Sequence, residues 1–212
     1  MTRSVMQLYK GGTMTKKKYK DLRKQNWELM LGVQIPKPVP YDRLQAFIRG
    51  INMGEVCDLQ EFATKISKPS VYEVYRPLES HLLLLADMYL YIDRHNKILQ
   101  WSNEVEGKFI VALGADGAPF GKNETATAFV VSFLNILDGV QSCDNNFVLL
   151  GANCDETHPL MFEYTKQICN EMKQIEQKTY EVQGKQIKFE CLLIPSDQKW
   201  IASIIHYYYC YL

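Results

Sequence analysis

The sequence has no closely spaced cysteine pair, and its N-terminus has no apolar stretch of the signal-peptide kind. Its six cysteines are scattered: Cys57, Cys143, Cys154, Cys169, Cys191 and Cys210. Without CxxC spacing neither a zinc ribbon nor a small disulfide framework is indicated. We therefore expect free thiols in a reducing, intracellular compartment.

The sequence also lacks a long hydrophobic run and a net charge. Its longest apolar run, 81–92, contains Asp87 and is too short to span a bilayer, so no membrane partner is predicted. Lysine and arginine number 24, and aspartate and glutamate also number 24, so overall charge does not predict a nucleic-acid-binding protein. The apolar fraction of 47% is typical of a globular protein with a substantial core.

Charge is nevertheless distributed unevenly along the chain. Residues 1–26 carry eight basic residues against Asp21 alone, which leaves the remainder acidic. Such a basic segment can bind a phosphate backbone, although a solvated tail would have the same composition. The candidate nucleic-acid-binding residues are Lys16, Lys17, Lys18, Lys20, Arg23, Lys24 and the loop residue Lys122.

The pattern divides the chain into a basic mobile arm (1–34), a helical region (35–105) and a core (106–212). The proline-rich segment 35–41 predicts an extended linker at the start of the helical region, because each proline disfavours helix in the residue before it. Short helices are predicted at 41–49 and 59–66, and a longer buried helix at 77–94. His81 and His95 lie near the two ends of the longer helix. We expect both side chains to be hydrogen-bonded there and not to be metal ligands.

From residue 107 the pattern is that of an α/β protein. The predicted elements are strands 108–115, 126–137 and 147–152, a helix 158–176, a hairpin of strands 180–183 and 186–194, and a helix that Ser196 would cap. Gly184 and Lys185 form the predicted turn of the hairpin. Three strands, a helix and a returning strand are the ribonuclease-H-like order, in which strand 186–194 lies beside strand 108–115.

Two aspartates follow these two strands. Asp116 comes after the apolar strand 108–115, before Gly117, and Asp197 comes after strand 186–194. Carboxylate oxygens are ligands that Mg²⁺ and Mn²⁺ prefer, and two such ions can promote displacement at a phosphodiester. The alternative is that Asp116 belongs to a turn and Asp197 to a helix start.

Two other motifs lead to no site. Cys154, Asp155 and His158 have no second ligand pair for a zinc site and predict a polar strand-to-helix turn. The glycine-rich segment 114–122 does not match the phosphate-binding loop, because Asp116 stands where the first glycine should be.

Residues 115–120 (ADGAPF) and 147–158 (FVLLGANCDETH) resemble the catalytic core of DDE transposases. The order of motifs over residues 107–205 is most similar to the branch that contains the vertebrate recombination-activating recombinase and the Transib transposons. The resemblance implies that Asp116 and Asp197 are the first two metal ligands and that the partner is DNA. It also implies a third carboxylate, usually a glutamate on a helix further downstream.

The chain ends 15 residues after Asp197, which predicts an incomplete core. The resulting expectation is a fragment or decayed copy of a mobile-element transposase without strand-transfer activity. If the protein is made, its location would be intracellular, and nuclear if it acts on DNA. The alternative is a binding module, without enzymatic activity, that presents the basic arm to nucleic acid or an acidic partner. Neither the oligomeric state nor enzymatic activity follows from the sequence.

Overall fold

The computed structural model describes residues 1, 4–5, 8, 15–24, 37–58, 72–102, 105–120, 124–136 and 145–193. These residues form a mixed α/β structure whose elements are α1 (Lys16–Lys24), α2 (Tyr41–Arg49), β1 (Cys57–Asp58), β2 (Glu73–Tyr75), α3 (Leu78–Asn96), β3 (Lys108–Phe120), β4 (Glu124–Phe133), β5 (Phe147–Ala152), α4 (Pro159–Glu176), β6 (Tyr180–Val182) and β7 (Lys185–Leu193). The chain divides into two compact units, Met1–Met53 and Gly54–Leu212.

The first unit contains α1 and α2. Tyr19 of α1 and Leu44 of α2 are fully buried and form a small apolar cluster with Leu8. The hydroxyl of Tyr19 donates a hydrogen bond of 2.9 Å to the carbonyl oxygen of Val39. Tyr19, which lies between the lysines of α1, is therefore anchored. The observed bounds of α2 confirm the predicted helix 41–49.

The second unit is built on a seven-stranded sheet with the order β1-β2-β5-β4-β3-β7-β6. All neighbouring strands are antiparallel except β3 and β7, which run parallel from Lys108 beside Lys188 to Leu113 beside Leu193. A parallel pair needs a crossover, and α4 lies between β5 and β7 along the chain. The predicted return of the last strand to the side of the first is confirmed.

Several predicted elements of this unit are confirmed with small shifts, whereas β3 extends to Phe120 beyond the predicted end at 115, and β4 spans Glu124–Phe133 where a strand at 126–137 was predicted. The strand predicted at 147–152 and the helix predicted at 158–176 agree with β5 and α4 to within one residue, and α3 extends slightly beyond the predicted 77–94. The hairpin turn lies one residue earlier than predicted. Gln183 and Gly184 form it, with φ of 53° and 75°, which is the left-handed backbone that a two-residue hairpin turn requires.

Helices α3 and α4 cover one face of the sheet. Alternate residues of β3, such as Phe109 and Leu113, belong to one buried cluster with apolar residues of both helices. Rings pack across this layer, since Tyr89 of α3 lies 5.6 Å from Phe133 and Tyr164 of α4 lies 5.1 Å from Phe129. The opposite face of the sheet carries the intervening residues, and we call it the open face.

Two buried polar contacts join distant parts of this unit. Asn135 is 2% exposed; its side chain accepts a hydrogen bond from the N–H of Ile110 and donates to the carbonyl oxygens of Gln100 and Lys108. Glu171 of α4 accepts a hydrogen bond of 3.1 Å from the N–H of Leu78. A carboxylate from one helix therefore caps the N-terminus of the other, where the helix dipole favours negative charge.

The prediction for His81 is wrong. His81 lies in the first turn of α3 and is 2% exposed. Neither of its ring nitrogens has a hydrogen-bond partner in the described part of the chain. Burial, with a smaller contribution from the charge of Arg76, lowers the pKa of His81 to about 4.

The helices predicted at 59–66 and after Ser196 lie outside the described residues. None of the helices formed by the described residues is long and apolar enough to cross a bilayer.

Candidate functional site

Asp116 lies within β3 and not at the end of a strand. The predicted strand ends at Ala115, whereas β3 continues to Phe120 because residues 116–120 pair with residues 124–128 of β4. Asp116 is exposed and pairs with Ala128. The Asp-Gly dipeptide is thus part of a long hairpin, so the predicted strand end before Asp116 and the alternative of a turn at Asp116 are both wrong.

The surroundings of Asp116 on the open face are small side chains. Its row across the sheet continues through Ala128 of β4 to Gly151 of β5. A side chain added at Gly151 would meet no atom within 4 Å. Glycine in a strand often marks a close approach by a ligand or another backbone, and this row places Ala128 and Gly151 beside the carboxylate of Asp116.

A second carboxylate approaches β3 from the opposite side. A Cβ built at Gly117 would lie 3.1 Å from Oε2 of Glu156, so Gly117 makes room for this side chain. Glu156 belongs to the loop between β5 and α4. Glu156 was not among the predicted site residues, and Gly117 of β3, which makes room for it, is distant in the sequence.

The loop that carries Glu156 is the polar strand-to-helix turn predicted from Cys154, Asp155 and His158. Oδ1 of Asp155 accepts hydrogen bonds from the N–H and hydroxyl of Thr157, at 2.8 and 2.6 Å. Nδ1 of His158 accepts one of 3.3 Å from the N–H of Leu160 and so caps α4. Burial, followed by the charges of Glu73 and Asp155, raises the pKa of the Cys154 thiol to about 12, which leaves it protonated and unreactive at neutral pH.

Asp197 and Lys122 lie outside the described residues, so the pairing of Asp116 with Asp197 stays a prediction. The parallel register of β3 and β7 is described up to Leu113 beside Leu193. Asp116 follows the first of these residues by three positions, and Asp197 follows the second by four. No group of three or more His, Cys, Asp or Glu side chains that could hold a metal ion occurs among the described side chains.

Glu73 is a buried titratable residue that was not among the predicted site residues. It is 4% exposed, and neither of its carboxyl oxygens has a hydrogen-bond partner among the residues that the structure describes. Burial, and secondarily the charge of Asp58, raises the pKa of Glu73 to about 7. Its pairing with Ala152, 79 residues away, explains why no local sequence pattern revealed it.

The predicted nucleic-acid-binding residues lie on α1 in the first unit, except Lys122. Six of the nine residues of this helix are basic, and all six are exposed. Lys17 and Lys24 project from the side opposite the buried Tyr19. Three of the six have an ion pair or a side-chain hydrogen bond within the unit: Lys16 lies 3.7 Å from Asp42, Lys24 lies 4.0 Å from Asp21, and Arg23 donates to the carbonyl oxygen of Pro38 at 3.0 Å.

A cavity of about 470 Å³ lies at the other end of β3 from Asp116. Its lining includes Glu106, Lys108, Glu176, Lys188 and Glu190. Ion pairs Lys108–Glu190 and Lys185–Glu106 neutralise part of this lining. Eight residues of strand, about 26 Å at 3.3 Å per residue, separate Lys108 from Asp116, so the cavity is a separate feature.

A scan of protein-family models finds no family that matches the chain, and a search of curated proteins finds no significant relative.

Proposed function

We propose that residues 106–212 form a ribonuclease-H-like core of the DDE type, which binds Mg²⁺ or Mn²⁺ and is related to enzymes that cleave and join DNA. The observation that carries this proposal is the order of the central strands. Strands β5, β4 and β3 are antiparallel neighbours, and β7 returns after α4 to run parallel beside β3. This is the arrangement that brings the carboxylates of the first and the returning strand to the same end of the sheet.

In this proposal the carboxylates of Asp116 and Asp197 hold the metal ion. Hard divalent cations are commonly bound by one or two carboxylates together with water and substrate phosphate. Asp116 suits this role because it is exposed on the open face, in a row with the small residues Ala128 and Gly151. When bound, the metal would polarise the scissile phosphodiester and activate the attacking oxygen.

The proposal sets a geometric requirement on Asp197. Asp116 is on the open face, whereas Glu156 approaches β3 from the helix side and is therefore not a ligand in this proposal. The chain beyond Leu193 must bring the carboxylate of Asp197 to the open face. The resemblance also implies a third carboxylate, which we do not assign to a residue.

The test is a titration of the purified protein with MgCl₂ and MnCl₂, followed by its thermal unfolding. At about ten times Kd, a bound metal would stabilise the protein by about 1.4 kcal/mol, and this gain should be lost in Asp116→Asn and in Asp197→Asn. Glu181→Gln, which changes an exposed acid on β6, is the control and should keep the gain. An unchanged melting temperature in the wild type, or a gain that both asparagine variants retain, would contradict the proposal.

The exposed basic face of α1 favours a second candidate, a nucleic-acid-binding module without catalysis. Because Tyr19 is anchored, the lysines on the opposite side have a fixed direction, which suits contact with phosphates.

The second candidate is tested by fluorescence anisotropy with labelled duplex DNA. The triple variant Lys17→Ala, Lys20→Ala, Lys24→Ala should bind more weakly, and the slope of log K against log [salt] should fall by up to about 2.7. Lys188→Ala, an exposed lysine of the second unit, is the control. If the triple variant binds with the affinity and slope of the wild type, α1 is not the binding surface.

A further inference from the structure

The carboxyl group of Glu73 is buried near the edge of the sheet. It lies on β2, a strand of three residues, and neither oxygen is accessible to solvent. An ionised carboxylate without a partner is costly to bury, because nothing replaces its hydration. A buried carboxyl group without a partner is therefore expected to be neutral or to have a functional role.

A proton is the cation that fits this position. The described side chains form no group of three or more His, Cys, Asp or Glu able to hold a metal ion. The surroundings are also anionic, since Asp58 on β1 acts on Glu73, and Glu73 and Asp155 act on the thiol of Cys154. The apposed residue of β5 is Ala152, which is apolar, and the next strand contributes the hydroxyl of Thr127, which donates to the carbonyl oxygen of Cys154.

Strands β1 and β2 form an edge strand pair that is held by few contacts. Among the described residues, residues 73–75 of β2 pair with β5, the N–H of Arg76 donates to the carbonyl oxygen of Leu149 at 2.8 Å, and β1 adds two residue pairs to β2. Beyond β2, Tyr72 and Asn153 exchange two hydrogen bonds, of 2.6 and 3.2 Å. Val74 and Tyr72 are 51% and 69% exposed, so the pair buries little on the open face. Segments of this kind open at a lower free energy than the core.

We propose that this edge strand pair is a pH-sensitive switch, closed while Glu73 is protonated and released from β5 when Glu73 loses its proton. Ionisation places an unpaired negative charge beside Asp58 and against the apolar edge of β5. Opening hydrates that charge and frees the loop that begins at Asn153. Cys154 does not set the transition, because its thiol stays protonated throughout this range.

The switch does not depend on the proposed function. The same loop carries Glu156, whose carboxylate approaches β3 at Gly117, next to Asp116. If the metal site also holds, release of the edge strand pair would alter the helix side of that site above neutral pH.

Hydrogen–deuterium exchange with mass spectrometry tests the switch on the full chain. With a pKa near 7 when closed and 4.5 when open, the opening equilibrium should rise about 70-fold from pH 5 to pH 8. Amides of peptides covering 72–76 and 150–154 should show this rise after correction for intrinsic exchange. Glu73→Gln, which keeps the shape and removes the charge, should abolish it. Glu181→Gln is the matched control and should behave as the wild type.

Two outcomes would overturn the proposal. One is a corrected exchange rate at 72–76 that changes less than threefold between pH 5 and pH 8 in the wild type. The other is a rise of equal size in Glu73→Gln. If Glu73→Gln does not fold, Glu73→Met supplies the uncharged comparison. Both readouts are made without metal or DNA, so a failure here is distinct from a failure of the metal site.

Discussion

Replacement of His81 by phenylalanine should stabilise the protein. The ring is 2% exposed, packs edge-on against Phe147 with centroids 6.3 Å apart, and has no hydrogen-bond partner for either nitrogen among the described residues. Phenylalanine has a similar shape and no polar atom to desolvate. Each unsatisfied buried polar group costs about 1–3 kcal/mol, so His81→Phe should gain about 1 kcal/mol at pH 7.5 even after some repacking loss.

The gain should be larger in acid. The pKa of His81 is about 4 in the folded protein and 6.5 in the unfolded chain, so the unfolded chain binds more protons between these values. Wild-type stability is therefore complete above about pH 6.5 and falls as the pH decreases towards 4. At pH 5 the loss is about 2 kcal/mol, at 1.36 kcal/mol for each unit of pKa difference. His81→Phe removes this loss.

Urea denaturation at pH 7.5 and pH 5.0 measures both effects. The difference in unfolding free energy between His81→Phe and the wild type should grow by about 2 kcal/mol on going to pH 5.0. His95→Gln, which removes an exposed histidine from the last turn of the same helix, is the control and should keep the wild-type response. The reasoning fails if His81→Phe destabilises the protein at pH 7.5, or if its advantage is the same at both pH values.

Four further substitutions test the fold by urea denaturation. Asn135→Leu removes three buried hydrogen bonds and should cost about 3 kcal/mol; a cost below 1 kcal/mol would contradict the contacts described. Gly107→Ala would place a Cβ 2.4 Å from the carbonyl oxygen of Gln186 and should cost about 3 kcal/mol, whereas Gly184→Ala, which has open space, should cost about 1 kcal/mol. Glu171→Gln retains an acceptor for the first N–H of α3 but loses the charge, so the expected loss is about 0.5 kcal/mol, and a gain would contradict the capping role.

The regular elements of the second unit were predictable because their signals are local. The apolar strand at 147–152 and the amphipathic helix at 158–176 each have a period that the sequence displays directly. Pro159 marks the first turn of α4, and Gly184 marks the hairpin. The parallel return of β7 beside β3 followed from the order of these elements.

The continuation of β3 through Asp116 and Gly117 was not predictable from local signals. Aspartate, glycine and the nearby Pro119 are all turn formers, so the dipeptide read as the end of a strand. Pairing with residues 124–128 of β4 overrides this preference and extends the hairpin. Asp116 therefore lies within a strand, because the residues before and after it in β3 also pair with β4.

The burial of His81 and Glu73 was also not predictable from local signals, because it depends on contacts between distant parts of the chain. The two groups should have opposite effects on the pH dependence of stability. Raising the pH from 5 to 7.5 should add about 2 kcal/mol of stability through His81 and remove about 2 kcal/mol through Glu73, whose pKa is raised to about 7 and which favours the folded state only while protonated. The wild type should therefore respond weakly to pH in this range. His81→Phe should lose stability as the pH rises, Glu73→Gln should gain it, and the double variant should resemble the wild type. Slopes of the same sign in the two single variants would show that these two groups do not titrate as their burial requires.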